Sequence, residues 1–389
     1  MPHPPNIVRT GLDVLVEKDL ALLRGKTVGI VTNHTARTRE GRHIVDVLHA
    51  ASGVHVAALF GPEHGIRGDV PDGTEILSQR EPKTEIPIWS LYGETRKPTP
   101  EMLQGIDTLL YDIQDVGARF YTFISTLFLC AEAAFEQGIE IVVLDRPNPI
   151  TGTKIEGPLL DRKFASFVGI YSLPIRHGMT VGELARLFTD EGNGLTVVPM
   201  EGWQRAMWFD QTGLTWIPPS PNMPSLSSAT VYPGTCLVEG TNVSEGRGSP
   251  RPFQYIGAPW LNGNRLSQAL NASDLPGVRF EPISFTPVAI PAVASRPKYR
   301  NQTCGGVCLD VTHRDEFDAV RTGLHLLSAI HRLHPRDFSW RADCFDKLSG
   351  TDQIRLAIVE GRDLDEIIQS GQGDLERFEK MRRKVLLYP

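Results

Sequence analysis

The sequence is poor in cysteine, has no excess of basic residues and lacks long apolar runs. Its 389 residues include five cysteines, a small and odd number, so a scaffold held by disulfides is not expected. The formal net charge of −6 argues against the basic field with which proteins attract nucleic acids. The longest apolar segment, Phe120–Phe135, is interrupted by polar residues and falls short of the ~18 residues of a membrane-spanning helix. Neither nucleic acid nor a membrane is therefore expected as a partner.

Sequence motifs of several ligand and enzyme classes are also missing. No GxGxxG motif follows the first apolar segment, and neither a Walker A nor a GxSxG motif occurs, which argues against nucleotide binding and a serine nucleophile elbow. No HExxH motif is present, and the spacing of Cys304 and Cys308 does not match a zinc knuckle. Met1–Arg9 contains three prolines and no apolar stretch, so no signal peptide is expected and a cytoplasmic location is predicted.

The first half of the chain alternates between short apolar segments and helical patterns. The predicted strands are Thr27–Thr32, Val54–Phe60, Ile86–Leu91, Thr108–Ile113 and Ile139–Leu144. They are rich in Val, Ile and Leu on both faces, which is typical of parallel strands covered by helices on two sides. The predicted helices are His43–Ala51, Phe120–Gln137 and Thr180–Glu191, the last with a capping box of Thr180 and Glu183. We therefore predict an α/β protein with a Rossmann-like, doubly wound, mostly parallel sheet.

The second half of the chain predicts a smaller, mixed α/β domain. Its predicted elements are the strands Val278–Ile290 and Gly305–Val311, the helix Asp315–Leu333, and two or three helical pieces within Thr351–Leu387. A proline-rich segment, Trp216–Pro224, lies between the halves, and we place the two domains at residues 1–228 and 229–389.

Polar residues are concentrated in the loops that follow the predicted strands. In open parallel sheets, ligands bind outside the carboxyl ends of the strands, so these loops are the first candidates for a site. The candidate side chains are Asn33, Glu63, His64, Asp115, Arg119, Tyr121, Asp145 and Asn148. Simpler interpretations remain open, because Asp145 beside Arg146 fits a structural ion pair and Asp115 fits a cap of the following helix.

Glu63 is the foremost acid candidate, because it lies in a short glycine-containing loop directly after a core strand. Glycine allows the backbone to approach a ligand closely. The apolar neighbours Phe60 and Pro62 would disfavour the charged form of the carboxyl group, which suits a general acid. The alternative is a surface glutamate or one at a helix N-terminus.

A second polar block, Glu239–Gly248, combines glycines with two acids, an asparagine and an arginine. Such loops bind polyhydroxy or anionic ligands through backbone N–H groups and charged side chains. The candidates in this block are Glu239, Asn242, Glu245 and Arg247. Tyr121, Trp216 or Trp260 would stack on a sugar face, although each is more often a core residue.

Five ordered segments combine these candidates with glycine and proline. They are Gly61–Gly65 (GPEHG), Tyr111–Tyr121 (YDIQDVGARFY), Leu144–Pro149 (LDRPNP), Ser220–Pro224 (SPNMP) and Glu239–Gly248 (EGTNVSEGRG). Together they resemble the exo-β-N-acetylmuramidase family, and the resemblance extends from about Gly11 to the C-terminus. It implies an active-site cleft between a Rossmann-like and a smaller domain. It also implies release of non-reducing terminal β-1,4-linked N-acetylmuramic acid (MurNAc) from muropeptides or MurNAc–GlcNAc, without a metal or organic cofactor.

The resemblance also assigns one catalytic residue, and the chemistry of glycoside hydrolysis suggests roles for others. The glutamate of the GPEHG segment, here Glu63, would be catalytic, and glycoside hydrolysis usually needs a second group that acts as nucleophile or activates water. In 2-acetamido sugars the substrate's own amide can be that nucleophile, with an enzyme carboxylate steadying it; Asp115, Glu239 and Glu245 are unranked candidates for this second role. The expected substrate-binding residues are Asn33, His64, Arg119, Tyr121, Asp145, Asn148, Asn222, Asn242 and Arg247. Among them, Arg119 or Arg247 would clamp the lactyl carboxylate of MurNAc.

Two other functions remain open from the sequence. A non-catalytic muropeptide- or sugar-binding protein would keep the aromatic and arginine contacts without needing an acid. A hydrolase of a different bond, such as an amide or a phosphate ester, is the second alternative.

Overall fold

The computed structural model describes residues 7–63, 65–66, 79–189 and 194–389. The strands are β1 Thr27–Thr32, β2 His55–Gly61, β3 Gln79–Arg80, β4 Pro87–Ser90, β5 Thr108–Asp112, β6 Glu140–Leu144, β7 Leu195–Val198, β8 Tyr255–Ala258, β9 Val278–Phe285 and β10 Cys304–Val311. The helices are α1 Gly11–Glu17, α2 Ile44–His49, α3 Phe123–Glu136, α4 Val181–Phe188, α5 Leu226–Thr235, α6 Gly263–Asn271, α7 Ala319–Leu333, α8 Ala342–Ser349, α9 Gln353–Glu360, α10 Leu364–Ser370 and α11 Gln372–Arg382. Within the described residues, none of these helices has both the length and the apolar character needed to cross a bilayer.

The large sheet has the order β3-β4-β2-β1-β5-β6-β7, and every pairing is parallel except that of β3 with β4. The chain builds outward from β1 to β2 and β4 on one side, then crosses back to β5 and continues to β6 and β7. The topological switch point therefore lies between β1 and β5, whose carboxyl ends are adjacent because Thr32 pairs with Asp112. Such points open a crevice where ligands bind in α/β sheets. This architecture confirms the predicted Rossmann-like fold.

The predicted strands of the first half are confirmed, each within one or two residues at either end. The capping box of α4 is also confirmed, since the Thr180 hydroxyl accepts from Glu183 N and the Glu183 carboxylate accepts from Thr180 N. Helix α3 begins at Phe123, later than predicted, because the preceding residues form an irregular loop. The sequence analysis missed the helices α1, α5, α6 and α8 and the strands β3, β7 and β8. Helix α5 contains Pro233, which disguised it, and it crosses the predicted domain boundary at 228/229.

The second half contains a three-stranded antiparallel sheet of order β8-β10-β9, with α5, α6 and α7 packed nearby. Helices α5 and α7 cross at two glycines. A Cβ atom at Gly234 would lie 1.8 Å from the carbonyl oxygen of Ala319, and one at Gly323 would lie 2.4 Å from that of Gly234. Only glycine at this crossing lets the backbones approach so closely. The smaller mixed α/β domain is thereby confirmed.

One apolar core extends through both halves, and a buried ion pair of the first half also contacts the second. Arg176 of the first half donates to the carboxylate of Glu156 and to the carbonyl of Ile150. The other Glu156 oxygen accepts the backbone N–H groups of Ala319 and Val320, at 2.9 and 3.2 Å, in the first turn of α7. This carboxylate thus fixes the start of a helix of the second half against the first.

Candidate functional site

A cleft of about 770 Å³ lies between the two halves, at the carboxyl ends of β2, β4 and β5. Its volume is in the range of ligand pockets, about 300–1,000 Å³. The first half contributes Glu63, Tyr92, Arg96, Tyr121, Thr122 and Phe167, and the second contributes Glu239, Arg247, Arg341 and Lys347. The cleft therefore brings together acids, cations and aromatic rings from both halves of the chain.

Glu63 lies one residue beyond the Pro62 that follows β2, and its side chain is half-buried in the cleft. The hydroxyl of Thr122 donates to Glu63 Oε2 at 2.8 Å. Thr122 is the residue before the first turn of α3, so the loop after β5 orients the acid that follows β2. His64, the next predicted site residue, lies outside the described residues.

An aromatic cluster forms the floor of the cleft. The ring of Tyr232 on α5 makes edge contacts with Phe120, Tyr121 and Phe253, at centroid distances of 5.2, 5.8 and 4.7 Å. Edge-to-face packing of this kind is a favoured aromatic geometry. The cluster joins the loop after β5 to the second half and holds Tyr121 at the cleft surface. Trp216 and Trp260 are not among the residues that line this cleft.

The second half places an alternating chain of charges beside the cleft. Arg247 Nη2 lies 2.7 Å from Glu239 Oε1, and Arg247 Nε lies 3.5 Å from Glu245 Oε1. Glu245 is itself 3.1 Å from Lys298 Nζ. Burial opposes ionisation of Glu245, but the cations Lys298 and Arg247 outweigh it and lower the pKa of this carboxyl. Glu239 lines the cleft, whereas Glu245 lies behind Arg247 and holds it in place.

Arg119 does not line the cleft. Its side chain is buried, and its two terminal nitrogens donate to the carbonyls of Pro158, Leu173 and Leu348 at 2.7 to 2.9 Å. Burial lowers its pKa to about 9. Arg119 thus ties the first half to the end of α8 and is not placed to contact a ligand in the cleft.

Asp115 and Asn148 lie in two of the five segments that resemble the family, and their side chains form hydrogen bonds within the protein. Asp115 Oδ2 accepts the backbone N–H of Gly117 at 2.7 Å and lies 3.6 Å from His177 Nε2. Gly117 has a φ of +85°, and a Cβ there would lie 2.6 Å from the Asn148 side chain. Asn148 in turn donates to the carbonyl of Met179. These residues shape the loop after β5, and neither Asp115 nor Asn148 lines the cleft.

Three further predicted site residues, Asn33, Asn222 and Asn242, also form hydrogen bonds within the protein. Asn33 accepts from the backbone and hydroxyl of Thr35. Asn222 donates to the carbonyl of Val293 at 2.7 Å, and Asn242 bonds to backbone atoms of residues 337 and 339. None of the three lines the cleft.

Asp145 is buried and lies at the start of α4. It accepts from the Thr180 hydroxyl, Gly182 N and the Tyr388 hydroxyl. Burial raises the pKa of Asp145 to about 7, although these hydrogen bonds act in the opposite direction. Its supposed partner Arg146 pairs with Asp112 instead, with Nη2 and Oδ2 3.0 Å apart.

The sequence analysis missed Tyr92, Arg96 and Phe167. Tyr92 and Arg96 follow β4, so the same rule that selected the other post-strand loops would have found them. Arg96 has its guanidinium carbon 4.4 Å from the centroid of the Phe167 ring. Among the described residues it has no hydrogen-bond or ion-pair partner. Phe167 lies in a loop that no sequence pattern marks.

The fold and the cleft together define a class: a two-domain α/β protein with a Rossmann-like sheet and an open, polar, sugar-sized cleft between the domains. In the parts of the chain that the structure describes, no group of three His, Cys, Asp or Glu side chains is arranged as a metal site. Family models described as the N- and C-terminal domains of the exo-beta-N-acetylmuramidase NamZ match residues 28–227 and 230–388. The chain belongs to this exo-β-N-acetylmuramidase family, which confirms the resemblance seen in the sequence.

Individual relatives support the same family assignment. The chain is 48% identical, over 385 residues, to the peptidoglycan beta-N-acetylmuramidase NamZ of Bacillus subtilis (strain 168), with 98% of this chain and 91% of the relative covered. A crystal structure of a DUF1343 family protein from Bacteroides fragilis NCTC 9343 is 36% identical, with a TM-score of 0.91 over 99% of this chain and 100% of that one. A second DUF1343 family protein from the same strain is 34% identical, with a TM-score of 0.79 over 98% and 99%.

Proposed function

We propose that this protein is an exo-acting glycoside hydrolase that releases non-reducing terminal β-1,4-linked MurNAc from peptidoglycan fragments, such as MurNAc–GlcNAc and muropeptides. Family membership and the Bacillus subtilis relative support the reaction class. The observation that carries the proposal is the Glu63 carboxyl group, half-buried in the cleft between the domains and oriented by Thr122. The cytoplasmic location and the domain division at 228/229 stay predictions.

In the proposed mechanism, Glu63 donates its proton to the glycosidic oxygen as the bond from that oxygen to C1 breaks. The leaving sugar departs with a free hydroxyl group. C1 is then attacked by the substrate's own acetamide oxygen or directly by water, and water finally supplies the new hydroxyl while its proton returns to Glu63. Each cycle consumes one water molecule and restores the acid.

Glu239 is the candidate we favour for the second carboxylate. It lines the cleft from the opposite domain, and the contact with Arg247 fixes its orientation. Asp115 and Glu245 are less suitable, because both are buried and engaged with neighbouring groups outside the cleft lining. Tyr121 is placed to pack against a sugar ring.

A simple assay separates this proposal from the two alternatives. Chromogenic glycosides of β-MurNAc and β-GlcNAc are incubated with the protein beside a chromogenic phosphate ester. We expect hydrolysis of the β-MurNAc glycoside, weaker hydrolysis of the β-GlcNAc glycoside and none of the ester. Binding of MurNAc without any turnover would instead indicate a binding protein, and hydrolysis of the ester alone would indicate a different hydrolase.

We further propose that Arg96 binds the free lactyl carboxylate of substrates that carry no peptide stem. The 3-O-lactyl group, to which this carboxylate belongs, is the only difference between MurNAc and GlcNAc. Arg119 donates to backbone carbonyls, and Arg247 pairs with two glutamates. Among the described residues, Arg96 contacts only the Phe167 ring in this way, so its guanidinium group can bind a ligand. Replacing Arg96 by Ala is expected to lower kcat/KM for the β-MurNAc glycoside about tenfold, or ~1.4 kcal/mol, with little change for β-GlcNAc. Arg362→Ala, at an exposed site outside the cleft, is the control and should change neither value. Equal losses on both sugars would remove Arg96 from this role.

A further inference from the structure

A second cavity, of about 390 Å³, lies at the switch point of the large sheet. Thr35 follows β1, Gln114 follows β5 and Arg146 follows β6, so three strand ends meet in its wall. Phe209, Leu214 and Ile217 close the opposite side with apolar surface. None of the Glu63 cleft residues lines this cavity, although both open at the same edge of the sheet.

The cavity is positively charged. Arg37, Arg39 and Arg146 line it, and no described carboxylate does. Arg39 lies at the exposed rim, where its Nε is 4.0 Å from the carboxylate of Glu40. Behind the wall, Asp112 neutralises Arg146 through Nε and Nη2. The lining therefore retains an excess of positive charge.

Two of these guanidinium groups have N–H donors that no described atom accepts from. Arg146 is 6% exposed, and within the described part of the chain its Nη1 has no hydrogen-bond partner. Arg37 donates through Nε to the carbonyl of His34 and through Nη1 to that of Gly41, and no described atom accepts from its Nη2. A carboxylate is the acceptor that matches such planar donors.

We propose that this cavity, bounded by Arg37, Arg146 and Gln114, is a separate binding site for a small carboxylate-bearing ligand. Its position satisfies the rule that ligands of open α/β sheets bind at the switch point. Its volume suits a ligand the size of one sugar or a short peptide. The proposal does not depend on the proposed hydrolysis, because it concerns a different cavity and is tested by binding.

The carboxylate has two possible sources, the peptide stem of a muropeptide or a free small acid. Ile217 lines the cavity and Ser220 lines the Glu63 cleft, so the two sites are separated by a segment that spans at most ~10 Å. His34 fastens this segment through a contact of 2.7 Å between its Nε2 and the carbonyl oxygen of Pro218. A stem peptide of three or four residues is long enough to cover that distance.

The test is isothermal titration of the whole, unmodified protein with two probes, a sugar-free stem peptide and citrate. Neither probe is a glycoside, so the measurement is independent of turnover. Arg37→Ala removes one unused donor, and Arg146→Lys removes another while it keeps a cation beside the buried Asp112. We expect each substitution to weaken binding of at least one probe tenfold or more. Arg362→Ala, at an exposed site that lines neither pocket, should leave it unchanged.

The outcomes separate the two sources. Binding of the stem peptide that Arg37→Ala weakens identifies the muropeptide stem, and this variant should then lose kcat/KM on muropeptides but not on MurNAc–GlcNAc. Binding of citrate alone, weakened in the same way, identifies a free acid. Failure of both probes to bind, or binding that survives both Arg37→Ala and Arg146→Lys, would overturn the proposal.

Discussion

Replacing Glu63 by Gln is expected to lower kcat on MurNAc–GlcNAc by about 10²–10⁴-fold, the range typical of general acid catalysis. The amide has nearly the same shape as the carboxyl group, and its oxygen still accepts from the Thr122 hydroxyl. It has no acidic proton to give to the glycosidic oxygen. The measurement is kcat with the natural disaccharide, together with circular dichroism and a melting curve to verify the fold.

A second substrate makes this test specific for an acid. On a β-MurNAc glycoside with a good leaving group, such as a nitrophenolate, bond cleavage needs less protonation, so the loss caused by Glu63→Gln should be much smaller. Glu94→Gln, an exposed acid in the loop after β4, is the matched control and should be fully active. A Glu63→Gln enzyme that retains more than about a tenth of kcat on the disaccharide would contradict the assignment.

Replacing Arg176 by Met is expected to lower the free energy of unfolding by about 3–5 kcal/mol, the usual cost of breaking a buried ion pair from one side. Arg176 is fully buried, and the substitution leaves the Glu156 carboxylate in the core without its counter-charge. Because Glu156 also caps the first turn of α7, the contact between the halves weakens as well. Urea denaturation of both proteins measures the difference.

The loss of stability caused by Arg176→Met should depend on pH, because a second acid, Asp318, lies beside the Arg176–Glu156 pair. Burial, followed by repulsion from Glu156, raises the pKa of Asp318 to about 7. A carboxyl group whose pKa is higher in the folded than in the unfolded protein stabilises the fold while it is protonated. This contribution is complete below the pKa of the unfolded protein, about 4, and is lost as the pH rises to about 7. Without Arg176 the two acids repel more strongly when ionised. The difference in the free energy of unfolding between the variant and the original protein should therefore be largest near pH 8 and smaller near pH 5.

Arg314→Met is the control for this prediction. Arg176 and Arg314 both lie over the Trp208 ring. Arg314 also pairs with an acid, Asp210, but this pair is exposed. Exposed pairs contribute about 0–1 kcal/mol, so its loss should be small at either pH. An Arg176→Met protein as stable as the Arg314→Met protein would show that the buried pair does not hold the two halves together.

The fold was largely predictable from the sequence because its strands are short, apolar and regularly separated by helices. β1, β5 and β6 are buried on both faces, and that burial leaves short, mainly apolar segments in the sequence, with Val, Ile or Leu at their centres. The elements that escaped prediction depend on tertiary contacts. Helix α5 contains an internal proline and owes its place to the close crossing of Gly234 and Gly323, which no local pattern records.

The site was predictable in outline and less so in detail. Glu63, Tyr121, Glu239 and Arg247 do meet in one cleft, as the rule for strand ends and the polar block together suggested. Asp115, Asp145 and Asn148 come from equally polar loops, yet they bind neighbouring backbone and side chains. Sequence gives the residue type at a strand end but not the direction of its side chain. Ligand-facing and scaffold-forming polar residues therefore look alike until the loops are seen folded.

The most direct test of the proposed function uses two disaccharides that differ only in the order of their sugars. The protein is incubated with MurNAc-β-1,4-GlcNAc and with GlcNAc-β-1,4-MurNAc, and the products are separated and identified by mass spectrometry. We expect the first to yield free MurNAc and free GlcNAc, and the second to remain intact, because the proposed activity removes MurNAc only from the non-reducing end. Cleavage of both disaccharides at similar rates, or of neither, would contradict the account.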